Sequence, residues 1–438
     1  MPPTPMVRFR SLVLTLGLAL PALAPSLYSA DTAAAVAAAA PAQDGHFQIP
    51  ATDDGLPGAG PIRRTDWFKS IWVERRTDWA KQVQKDQGAL VFLGDSITQG
   101  WGDVGSSFPG IKIANRGISG DTTRGVLIRL KEDVLSLNPS GVVMLVGTND
   151  LEEKADPEVI AGNVGLIVDS LRQNNPAMPV ILCQVFPSAD VKSRPAAKIK
   201  QINLLYRKAM EDQPQVTVLD TWSLFANVHG DAKEEEMPDL LHPNMIGYAK
   251  WASALQPVLE TVGLVPAWPD DFKVEEGFVS LFNGRDLTGW GYEGGPELAG
   301  KTASDDGRYI VRNGRIVVTT SHYGTTYKKL WTRQEYPKDF VLKLEFRASP
   351  NADSGIYIRE PQLQCRDFVI AGPFSTLKLY RPLGWNEIVV TVGGGLAHCT
   401  CNGELLLDAM PVPATGPIGL ESDRGQMEYR RIRIQESP

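Results

Sequence analysis

The first half of the chain alternates short apolar runs with longer runs of helical spacing. In the longer runs, apolar residues recur every three or four positions, as they do on one face of an amphipathic helix. These runs are TDWFKSIWVERRTDWAKQVQKDQ, TTRGVLIRLKEDVLSL, EVIAGNVGLIVDSLRQN, AAKIKQINLLYRKAMED and NMIGYAKWASALQPVLETV. The short runs predict five strands: ALVFL, IKIAN, GVVMLV, MPVILCQVF and QVTVLD. Strands that alternate with helices predict a parallel sheet covered by helices on both faces.

The second half of the chain has a different pattern. Short β-rich runs follow one another, with turns between them and little helical periodicity, as in YIVRNGRIVVTT, DFVLKLEFRA, WNEIVVTV and MEYRRIRIQ. Asn313-Gly314 and Asn402-Gly403 lie between such runs and predict tight hairpins. We therefore expect an antiparallel sandwich or jelly roll over residues 276–438. A Pro- and acid-rich segment, residues 265–275, is the predicted linker.

The first 61 residues show neither pattern. Residues 1–30 contain two arginines, no acidic residue and an apolar run broken by Pro21. These features are typical of a secretory signal peptide, and the run is too short for a comfortable membrane span. A buried N-terminal helix is the alternative. Residues 31–61 are rich in Ala, Pro and Gly and predict a spacer without a core, which leaves residues 62–264 for the α/β domain.

Length, net charge and cysteine content limit the classes of protein to which this chain can belong. A chain of 438 residues is long enough for two domains. A net charge of −7 argues against a nucleic-acid binder, which needs a basic face. The four cysteines lack metal-site spacing. Cys183 lies in an apolar run and predicts a buried free thiol. Cys399 and Cys401 share one face of a strand and are badly placed to bridge each other, but either could pair with Cys365.

Polar residues follow the predicted strands, at the edge of the sheet where ligands bind. Gly94-Asp95-Ser96 follows the first strand, and the segment DLLHPN follows the fifth. A serine nucleophile needs a base to take its proton and an acid to orient that base. Among five histidines, His242 is the best base by elimination, and Asp239 precedes it by three residues. The alternatives are a serine that only caps a helix and a structural histidine.

Acyl transfer also needs hydrogen-bond donors for the oxyanion that develops on the substrate carbonyl. The backbone N–H groups of Ser96 and Gly117 and the side-chain amide of Asn149 are the candidates, because all three follow predicted strands. Gly117 and Asn149 are alternatively ordinary turn residues. Asp95 is expected to fix the turn beside the serine, and Asp150 to cap a helix.

Four blocks of the sequence resemble the motifs of a known family. GDSIT, NRGISGDTT, GTND and D-x-x-H-P-N, in this order, are similar to the conserved blocks of the SGNH (GDSL-type) hydrolases. The resemblance covers roughly residues 62–264, and WFKSIWVERR and NRGISGDTT resemble the subgroup of platelet-activating-factor acetylhydrolase subunits and bacterial sugar-ester deacetylases. It implies a flavodoxin-like three-layer α/β/α fold and no metal or organic cofactor. The family's Ser, Gly, Asn and His correspond to Ser96, Gly117, Asn149 and His242.

The second region resembles another family. EEGFVSLFNGRDLTGW, SGIYIRE, GWNEIVV, NGELLLD and GPIGLESDRGQMEYRRIRI are similar, in order, to the 3-keto-disaccharide hydrolase-like family. This implies a concanavalin-like β-sandwich (jelly roll) that contacts carbohydrate, and some members cleave oxidised disaccharides. Members commonly carry Gln, Asp and His after the GPIGL run, whereas this chain has Glu421, Ser422, Asp423 and Arg424. The departure weakens the case for hydrolysis by this domain.

Candidate carbohydrate contacts in the second region are Glu345, Arg359, Gln364 and Glu421. Alternate residues of a strand share a face, so Tyr357 is expected beside Arg359. Paired surface charges are the alternative interpretation. Trp290 and Trp385 are expected in the core, with stacking on a sugar as the alternative.

Together these patterns predict an exported serine esterase that removes acetyl or other small acyl groups from a saccharide. Three alternatives remain open: a glycan-binding protein with an accessory esterase domain, a 3-keto-glycoside hydrolase, and a hydrolase of phospholipid acetyl esters. The expected partner is an acylated saccharide, without nucleic acid and without a stable membrane anchor. The sequence leaves the oligomeric state open.

Overall fold

The computed structural model describes residues 46–211, 213–266, 271–320, 328–367 and 372–437. The predicted signal peptide and the first part of the predicted spacer lie outside the described residues. Among the helices of the described ranges, none is long and apolar enough to cross a bilayer.

Five parallel strands form the sheet of the first domain: β1 (Leu90–Gly94), β2 (Ile113–Gly117), β3 (Gly141–Leu145), β4 (Val180–Cys183) and β5 (Val216–Leu219). Their order across the sheet is β2-β1-β3-β4-β5. The helices of this domain are α1 (Asp66–Ala80), α2 (Ser96–Gly100), α3 (Thr123–Asp133), α4 (Thr148–Glu152), α5 (Pro157–Asn174), α6 (Ala196–Ala209), α7 (Thr221–Phe225) and α8 (Met245–Thr261).

The side chains of β1 alternate between two hydrophobic layers, one on each face of the sheet. Val91 and Leu93 pack in the layer that contains α3, α5 and α6. Leu90 and Phe92 pack in the layer that contains Trp251 of α8. All of β1 is buried, as a strand covered on both faces requires. The predicted parallel α/β sheet is thus confirmed.

Among the boundaries that differ from the sequence prediction are those of the first helix and of β2. The first helix ends at Ala80, well before residue 87, because the segment KQVQKDQG offers only Val83 as an apolar residue to pack. Strand β2 continues past the predicted run IKIAN and ends at Gly117. Gly117 therefore lies inside the sheet, where it pairs in register with Gly94 of β1.

Two antiparallel sheets form the second domain. Its strands are β6 (Val279–Ser280), β7 (Trp290–Tyr292), β8 (Tyr309–Arg312), β9 (Arg315–Val318), β10 (Lys328–Thr332), β11 (Phe340–Ala348), β12 (Asp353–Ile358), β13 (Gln362–Arg366), β14 (Asn386–Gly393), β15 (Leu396–Cys401), β16 (Glu404–Pro411), β17 (Ile418–Ser422) and β18 (Met427–Glu436). One sheet has the order β13-β12-β17-β10-β7. The other has the order β16-β15-β14-β11-β18-β9-β8, with β6 paired to β18. The predicted sandwich is confirmed.

The hairpin positions in the sandwich follow the sequence signals. Asn313 connects β8 to β9 with a φ of 48°, and Asn402 connects β15 to β16 with a φ of 49°. In both turns the following residue is glycine, also in the left-handed region. This is the backbone that Asn-Gly hairpins adopt, because both central residues need a positive φ.

The core between the two sheets holds three of the four cysteines. Cys365, Cys399 and Cys401 are buried there, and Cys183 is buried in the first domain. All four thiols are free. The free, buried state of Cys183 is as predicted. The pairing of Cys365 with Cys399 or Cys401, which the sequence left open, is not formed.

The two tryptophans expected in the sandwich core have different surroundings. Trp290 is fully buried, and its indole N–H donates to the carbonyl oxygen of Leu281 at 2.7 Å. Trp385 is only half-buried, and its ring faces the guanidinium of Arg430 at 4.0 Å. The core prediction is therefore correct for Trp290 and wrong for Trp385, whose polar neighbours come from the outer face of the larger sheet.

The structure corrects the expected extent of the spacer. Within residues 46–61, Phe47 and Ile49 are buried, and Ile49 joins a cluster with Phe68 of α1. The N–H of Ala59 donates to Asn163 Oδ1 at 3.0 Å, and Asn163 Nδ2 donates to the Ala59 carbonyl at 2.8 Å. These residues pack on the α/β domain, because Phe47 and Ile49 bring apolar surface to a segment that is otherwise polar and Pro/Gly-rich.

Buried polar contacts join the two domains. Arg347 of β11 donates to Glu428 of β18 at 2.9 Å and to Glu260 of α8 at 3.0 Å. The backbone N–H of Val218, in the edge strand β5, donates to Thr320 Oγ1 at 3.1 Å. Because a buried charge is costly without its partner, these contacts favour one arrangement of the two domains.

Candidate active site

Ser96 is the first residue of α2, directly after the turn that ends β1. Asp95 is the N-cap of this helix, and its Oδ1 accepts a hydrogen bond from the Ile97 N–H at 2.9 Å. Asp95 therefore fixes the turn, as expected from the sequence. The N–H of Ser96 has no intrahelical acceptor, because the first N–H groups of a helix have none. The hydroxyl and the N–H of Ser96 thus lie together at the carboxyl end of β1.

His242 and Asp239 lie on the loop before α8, and this loop brings them to Ser96. The distance from Ser96 Oγ to His242 Nε2 is 2.9 Å. The distance from His242 Nδ1 to Asp239 Oδ2 is 2.7 Å. Asp239 Oδ1 also accepts the backbone N–H of His242 at 2.7 Å, which holds the carboxylate against the residue that it orients. Hydroxyl, imidazole and carboxylate therefore form one continuous hydrogen-bonded row.

The carboxylate of Asp239 is kept ionised by its surroundings. Partial burial raises its pKa, but the hydrogen bonds from the backbone and ring of His242 outweigh that effect, so the pKa of Asp239 lies below its ordinary value. The His242 side chain remains 41% exposed, which leaves the row open to a substrate. An ionised acid behind an accessible imidazole is the arrangement that a general base needs.

Asn149 lies on α4, just beyond the carboxyl end of β3. Its Nδ2 donates to the Asp121 carbonyl at 3.0 Å, and its Oδ1 accepts from Arg194 Nη2 at 3.1 Å. An amide nitrogen carries two hydrogens, so one N–H of Asn149 is not used by the contact with Asp121. Arg194 belongs to the site, although none of the sequence blocks contains it. It lies 45 residues beyond Asn149 in a loop, and no local pattern links the two.

Gly117, a predicted oxyanion donor, is the last residue of β2. Its N–H donates to Asn115 Oδ1 at 3.0 Å and is engaged within the protein. A Cβ at this position would lie 2.3 Å from the Gln99 nitrogen and 2.8 Å from the Asp95 carbonyl oxygen. Only glycine therefore allows the end of β2 to approach the turn that carries Ser96.

Three buried carboxyl groups lie close to this site. Burial raises the pKa of Asp95 to about 7 and the pKa values of Asp121 and Asp150 to about 6. Asp121 pairs with Arg129 at 2.7 Å. Asp150 accepts from both the N–H and the hydroxyl of Thr123, at the start of α3. Asp150 is thus a helix cap, as expected, but for α3 rather than for its own helix.

The four candidate carbohydrate contacts do not form one site. Glu345 lies on β11 of the larger sheet, where it pairs with Arg430 at 2.6 Å and Arg431 at 2.8 Å. Arg359 follows β12 with a φ of 65°, and its guanidinium donates to the carbonyls of Pro413 and Lys338. Glu345 therefore matches the alternative of a paired charge, and Arg359 is bound to backbone.

Gln364 and Glu421 do belong to one cluster, on the outer face of the five-stranded sheet. Tyr357 donates its hydroxyl hydrogen to Glu421 Oε1 at 2.9 Å, and Gln362 donates to the other carboxylate oxygen. Gln364 donates to Gln362 at 2.9 Å. Burial is the main cause that raises the pKa of Glu421. Arg359, expected on the same face as Tyr357, follows β12 with a left-handed backbone and lines the same cleft as Lys329 and Trp331.

Trp331 and Lys329 of β10 extend this face. The rings of Trp331 and Tyr357 lie 5.4 Å apart, and Lys329 Nζ lies 3.9 Å from the centre of the Tyr357 ring. Trp331 and Lys329 also line a cleft of about 490 Å³. The alternation in KKLWT could have shown that these two residues share a face. We name Lys329, Trp331, Tyr357, Gln362 and Glu421 the aromatic–acid face.

A metal site is not present in the described part of the chain. Among those residues, no three His, Cys, Asp or Glu side chains are grouped so that they could hold a metal ion.

Comparison with known proteins assigns each domain to a family. Residues 92–250 match the GDSL-like lipase/acylhydrolase family. Residues 277–435 match a 3-keto-alpha-glucoside-1,2-lyase-like domain. Both families predicted from the sequence blocks are thus confirmed.

Individual relatives match the first domain. The human platelet-activating factor acetylhydrolase IB subunit alpha2 is 29% identical over 195 residues, which are 43% of this chain and 83% of that protein. The crystal structure of a GDSL-like lipase from Bacteroides thetaiotaomicron is 25% identical, with a TM-score of 0.38, and covers 44% of this chain and 96% of that one. The crystal structure of an acetyl xylan esterase, AlAXEase, is 23% identical, with a TM-score of 0.34, and covers 39% and 99%.

Proposed function

We propose that this chain, which belongs through its α/β domain to the GDSL-like lipase/acylhydrolase family, is an exported serine esterase that deacetylates a carbohydrate. In this proposal Ser96 is the nucleophile, His242 the general base and Asp239 the residue that orients it. The observation that carries the proposal is the row of two contacts, 2.9 Å from Ser96 to His242 and 2.7 Å from His242 to Asp239.

The reaction begins with attack of Ser96 Oγ on the ester carbonyl carbon. His242 Nε2 takes the hydroxyl proton as the new C–O bond forms, and Asp239 stabilises the resulting imidazolium through Nδ1. The tetrahedral intermediate collapses when the bond to the alcohol oxygen breaks, and His242 returns the proton to that oxygen. An acyl group then remains on Ser96, and water removes it by the same sequence of steps, with His242 again as the base.

The developing oxyanion is stabilised by the Ser96 N–H and by the second N–H of the Asn149 amide. Such donors act strongly because they are fixed before the reaction, and loss of one typically costs about 2.7–4 kcal/mol of barrier. The Gly117 N–H can join them only after it releases Asn115 Oδ1, with which it makes a 3.0 Å contact. Until that contact is released, Gly117 contributes by allowing the end of β2 to approach the turn that carries Ser96.

The nucleophile is tested by Ser96→Ala with p-nitrophenyl acetate as the substrate. We expect kcat/KM to fall by roughly 10³-fold or more, since the covalent path is lost. Ser253→Ala is the matched control, because Ser253 is an exposed serine of α8 whose hydroxyl bonds only to its own helix, at Ala249. Full activity of the Ser96 variant would contradict the proposal.

The carbohydrate part of the proposal rests on the second domain. Its aromatic–acid face combines a tryptophan, a tyrosine, a lysine and a carboxyl group beside a cleft of about 490 Å³. Aromatic rings offer apolar area to the faces of sugar rings, and polar groups beside them bind hydroxyls. A fused sandwich of this kind would hold the saccharide that carries the ester.

Substrate choice is tested with a panel of acetylated xylan, acetylated sialic acid and a short-chain phospholipid acetyl ester. Release of acetate from a saccharide ester supports the proposal, and preference for the phospholipid overturns its carbohydrate part. Trp331→Ala should raise KM for the polymeric saccharide ester but leave hydrolysis of p-nitrophenyl acetate unchanged. An unchanged KM for the polymer would exclude the aromatic–acid face as its binding surface.

Export is proposed from residues 1–30 alone, through their two arginines followed by a short apolar run. The test is expression of the full chain in a bacterial host, followed by N-terminal sequencing of protein from the periplasm and medium. A mature N-terminus near Ala30 supports export. An uncleaved chain confined to the cytoplasm would contradict it.

A second candidate activity, cleavage of a 3-keto-glycoside by the sandwich, is favoured by one observation. Glu421 is a buried carboxyl whose pKa is raised, and its partner Tyr357 also lies on the aromatic–acid face. The test uses the Ser96→Ala variant, so that the esterase cannot contribute. Release of 3-ketoglucose from a 3-keto-disaccharide, lost in Glu421→Gln, would establish this activity; absence of release would leave the sandwich as a binding domain.

A further inference from the structure

The amide of Asn149 is held at both of its ends. Its nitrogen donates to the Asp121 carbonyl at 3.0 Å, and its oxygen accepts from Arg194 Nη2 at 3.1 Å. Rotation of the amide by 180° would place its oxygen against the Asp121 carbonyl and its nitrogen against the guanidinium. Both contacts would then be repulsive, because a carbonyl only accepts and a guanidinium only donates. The remaining N–H therefore points in one defined direction.

Arg194 is itself fixed by several acceptors. Its Nε donates to the carbonyl and the hydroxyl oxygens of Thr148, at 3.1 Å and 3.0 Å. Its Nη1 donates to the Lys192 carbonyl at 2.6 Å, and its Nη2 donates to Glu152 at 3.0 Å. Only 3% of the residue is exposed. Thr148 immediately precedes Asn149, so one side chain holds both the backbone and the amide of this part of α4.

The charge of this buried arginine is balanced by Glu152, whose Oε2 accepts from the same Nη2 that donates to Asn149. Glu152 pairs with Arg194 and also with Arg63, at 2.6 Å, and its side chain is 44% exposed. The carboxylate is thus shared between two cations and reaches solvent. The guanidinium contact on Asn149 Oδ1 polarises the amide and makes its free N–H a stronger donor, as a charge-assisted hydrogen bond does.

We propose that Arg194 is a positioning residue of the esterase reaction, which orients and polarises the Asn149 amide toward the oxyanion. This inference rests on the proposed function of Ser96. Arg194 does not touch the substrate in this account; it acts through Asn149. Its contribution should therefore appear only in the transition state, where negative charge develops on the carbonyl oxygen.

A double-mutant cycle tests the inference in the full chain. Arg194→Met should lower kcat and kcat/KM for p-nitrophenyl acetate together by about 10- to 100-fold, with KM unchanged, since the lost interaction exists only in the transition state. Asn149→Ala should lower them by about 10²- to 10³-fold. In the Asn149→Ala background, Arg194→Met should cost less than about 3-fold more, because the amide through which it acts is gone.

Controls separate this role from a structural one. Arg172→Met removes an exposed arginine that pairs with Asp169, and it should leave the kinetics unchanged. Guanidinium ion should partly restore Arg194→Met but not the double variant. If Arg194→Met fails to fold, Arg194→Lys keeps a charge in the same place and is carried through the same cycle, with thermal unfolding as the check on the fold.

The results of these experiments show whether the role of Arg194 has failed or the proposed function of Ser96 has failed. Full activity of Ser96→Ala would overturn both. Suppose that Ser96→Ala loses activity, and that Arg194→Met has the same effect with and without the Asn149 amide. This result would overturn only the role of Arg194. A rise in KM with unchanged kcat would overturn it too, because that result would indicate a contact in the ground state.

Discussion

Gly117→Ala separates two roles that one glycine can have in this site. Alanine keeps the backbone N–H, so a residue that only donates to the oxyanion would tolerate the change. The structure instead places Gly117 against the backbone of the nucleophile turn. The added Cβ would lie 2.3 Å from the Gln99 nitrogen, 2.8 Å from the Asp95 oxygen and 2.9 Å from the Gln99 Cα.

The size of the effect follows from these distances. An ordinary contact for a Cβ is 3.4 Å or more, so the Gln99 nitrogen must retreat by about 1 Å. Both neighbours are backbone atoms and cannot rotate away. Overpacking of this kind costs about 1–3 kcal/mol of stability. The retreat also moves α2 and Ser96 relative to His242, and a displacement of about 1 Å can cost about 100-fold in rate.

The assay measures kcat/KM with p-nitrophenyl acetate and the free energy of unfolding by denaturant titration. Gly162→Ala is the matched control, since this exposed position in the middle of α5 has no atom within 4 Å of an added Cβ. Gly162→Ala should raise the free energy of unfolding by about 0.5–1 kcal/mol, because alanine is more stable than glycine in a helix interior. Wild-type activity and stability in Gly117→Ala would refute the close-approach argument.

Two further predictions concern buried charges. Arg347→Met should lower the free energy of unfolding by about 3–5 kcal/mol, because Glu428 and Glu260 lose their closest cation; an unchanged denaturation midpoint would contradict this. Burial raises the pKa of Asp95 from 3.8 to about 7, so its contribution to stability is full below about pH 4 and is lost as the pH rises through 7. Asp95→Asn keeps the acceptor for Ile97 and cannot ionise, so its stability relative to the wild type should rise between pH 4 and pH 8. A pH-independent difference in denaturant titrations would show that this carboxyl does not titrate in that range.

Local patterns were enough to predict the architecture. The apolar run that became β1 is buried on both faces, and the change to short β-rich runs after residue 276 marks the sandwich. The rule that ligands gather at the carboxyl ends of parallel strands brought Ser96 and Asn149 to one edge. The His242 contact depends on a loop far along the chain. Elimination among the five histidines, the position of Asp239 three residues earlier and the order of the sequence blocks indicated it.

The rest of the site depends on contacts that local patterns do not encode. Strand alternation predicts Arg359 on the face of Tyr357, but it does not show that Arg359 follows β12 with a φ of 65°. Glu345 lies on the opposite sheet, and the sequence does not say which sheet a strand joins. The Arg194 contact with Asn149 joins a loop to α4, 45 residues apart in the chain. The hydrogen bond of the Gly117 N–H to Asn115 depends on one side-chain rotamer.

The most direct test of the catalytic row is covalent labelling with a fluorophosphonate, followed by mass spectrometry of the digested protein. The account predicts a single phosphonyl group on Ser96, formed rapidly in the wild type and at least about 100-fold more slowly in His242→Ala, since the base no longer removes the hydroxyl proton. A label on another residue, or equal labelling rates in the two proteins, would contradict it.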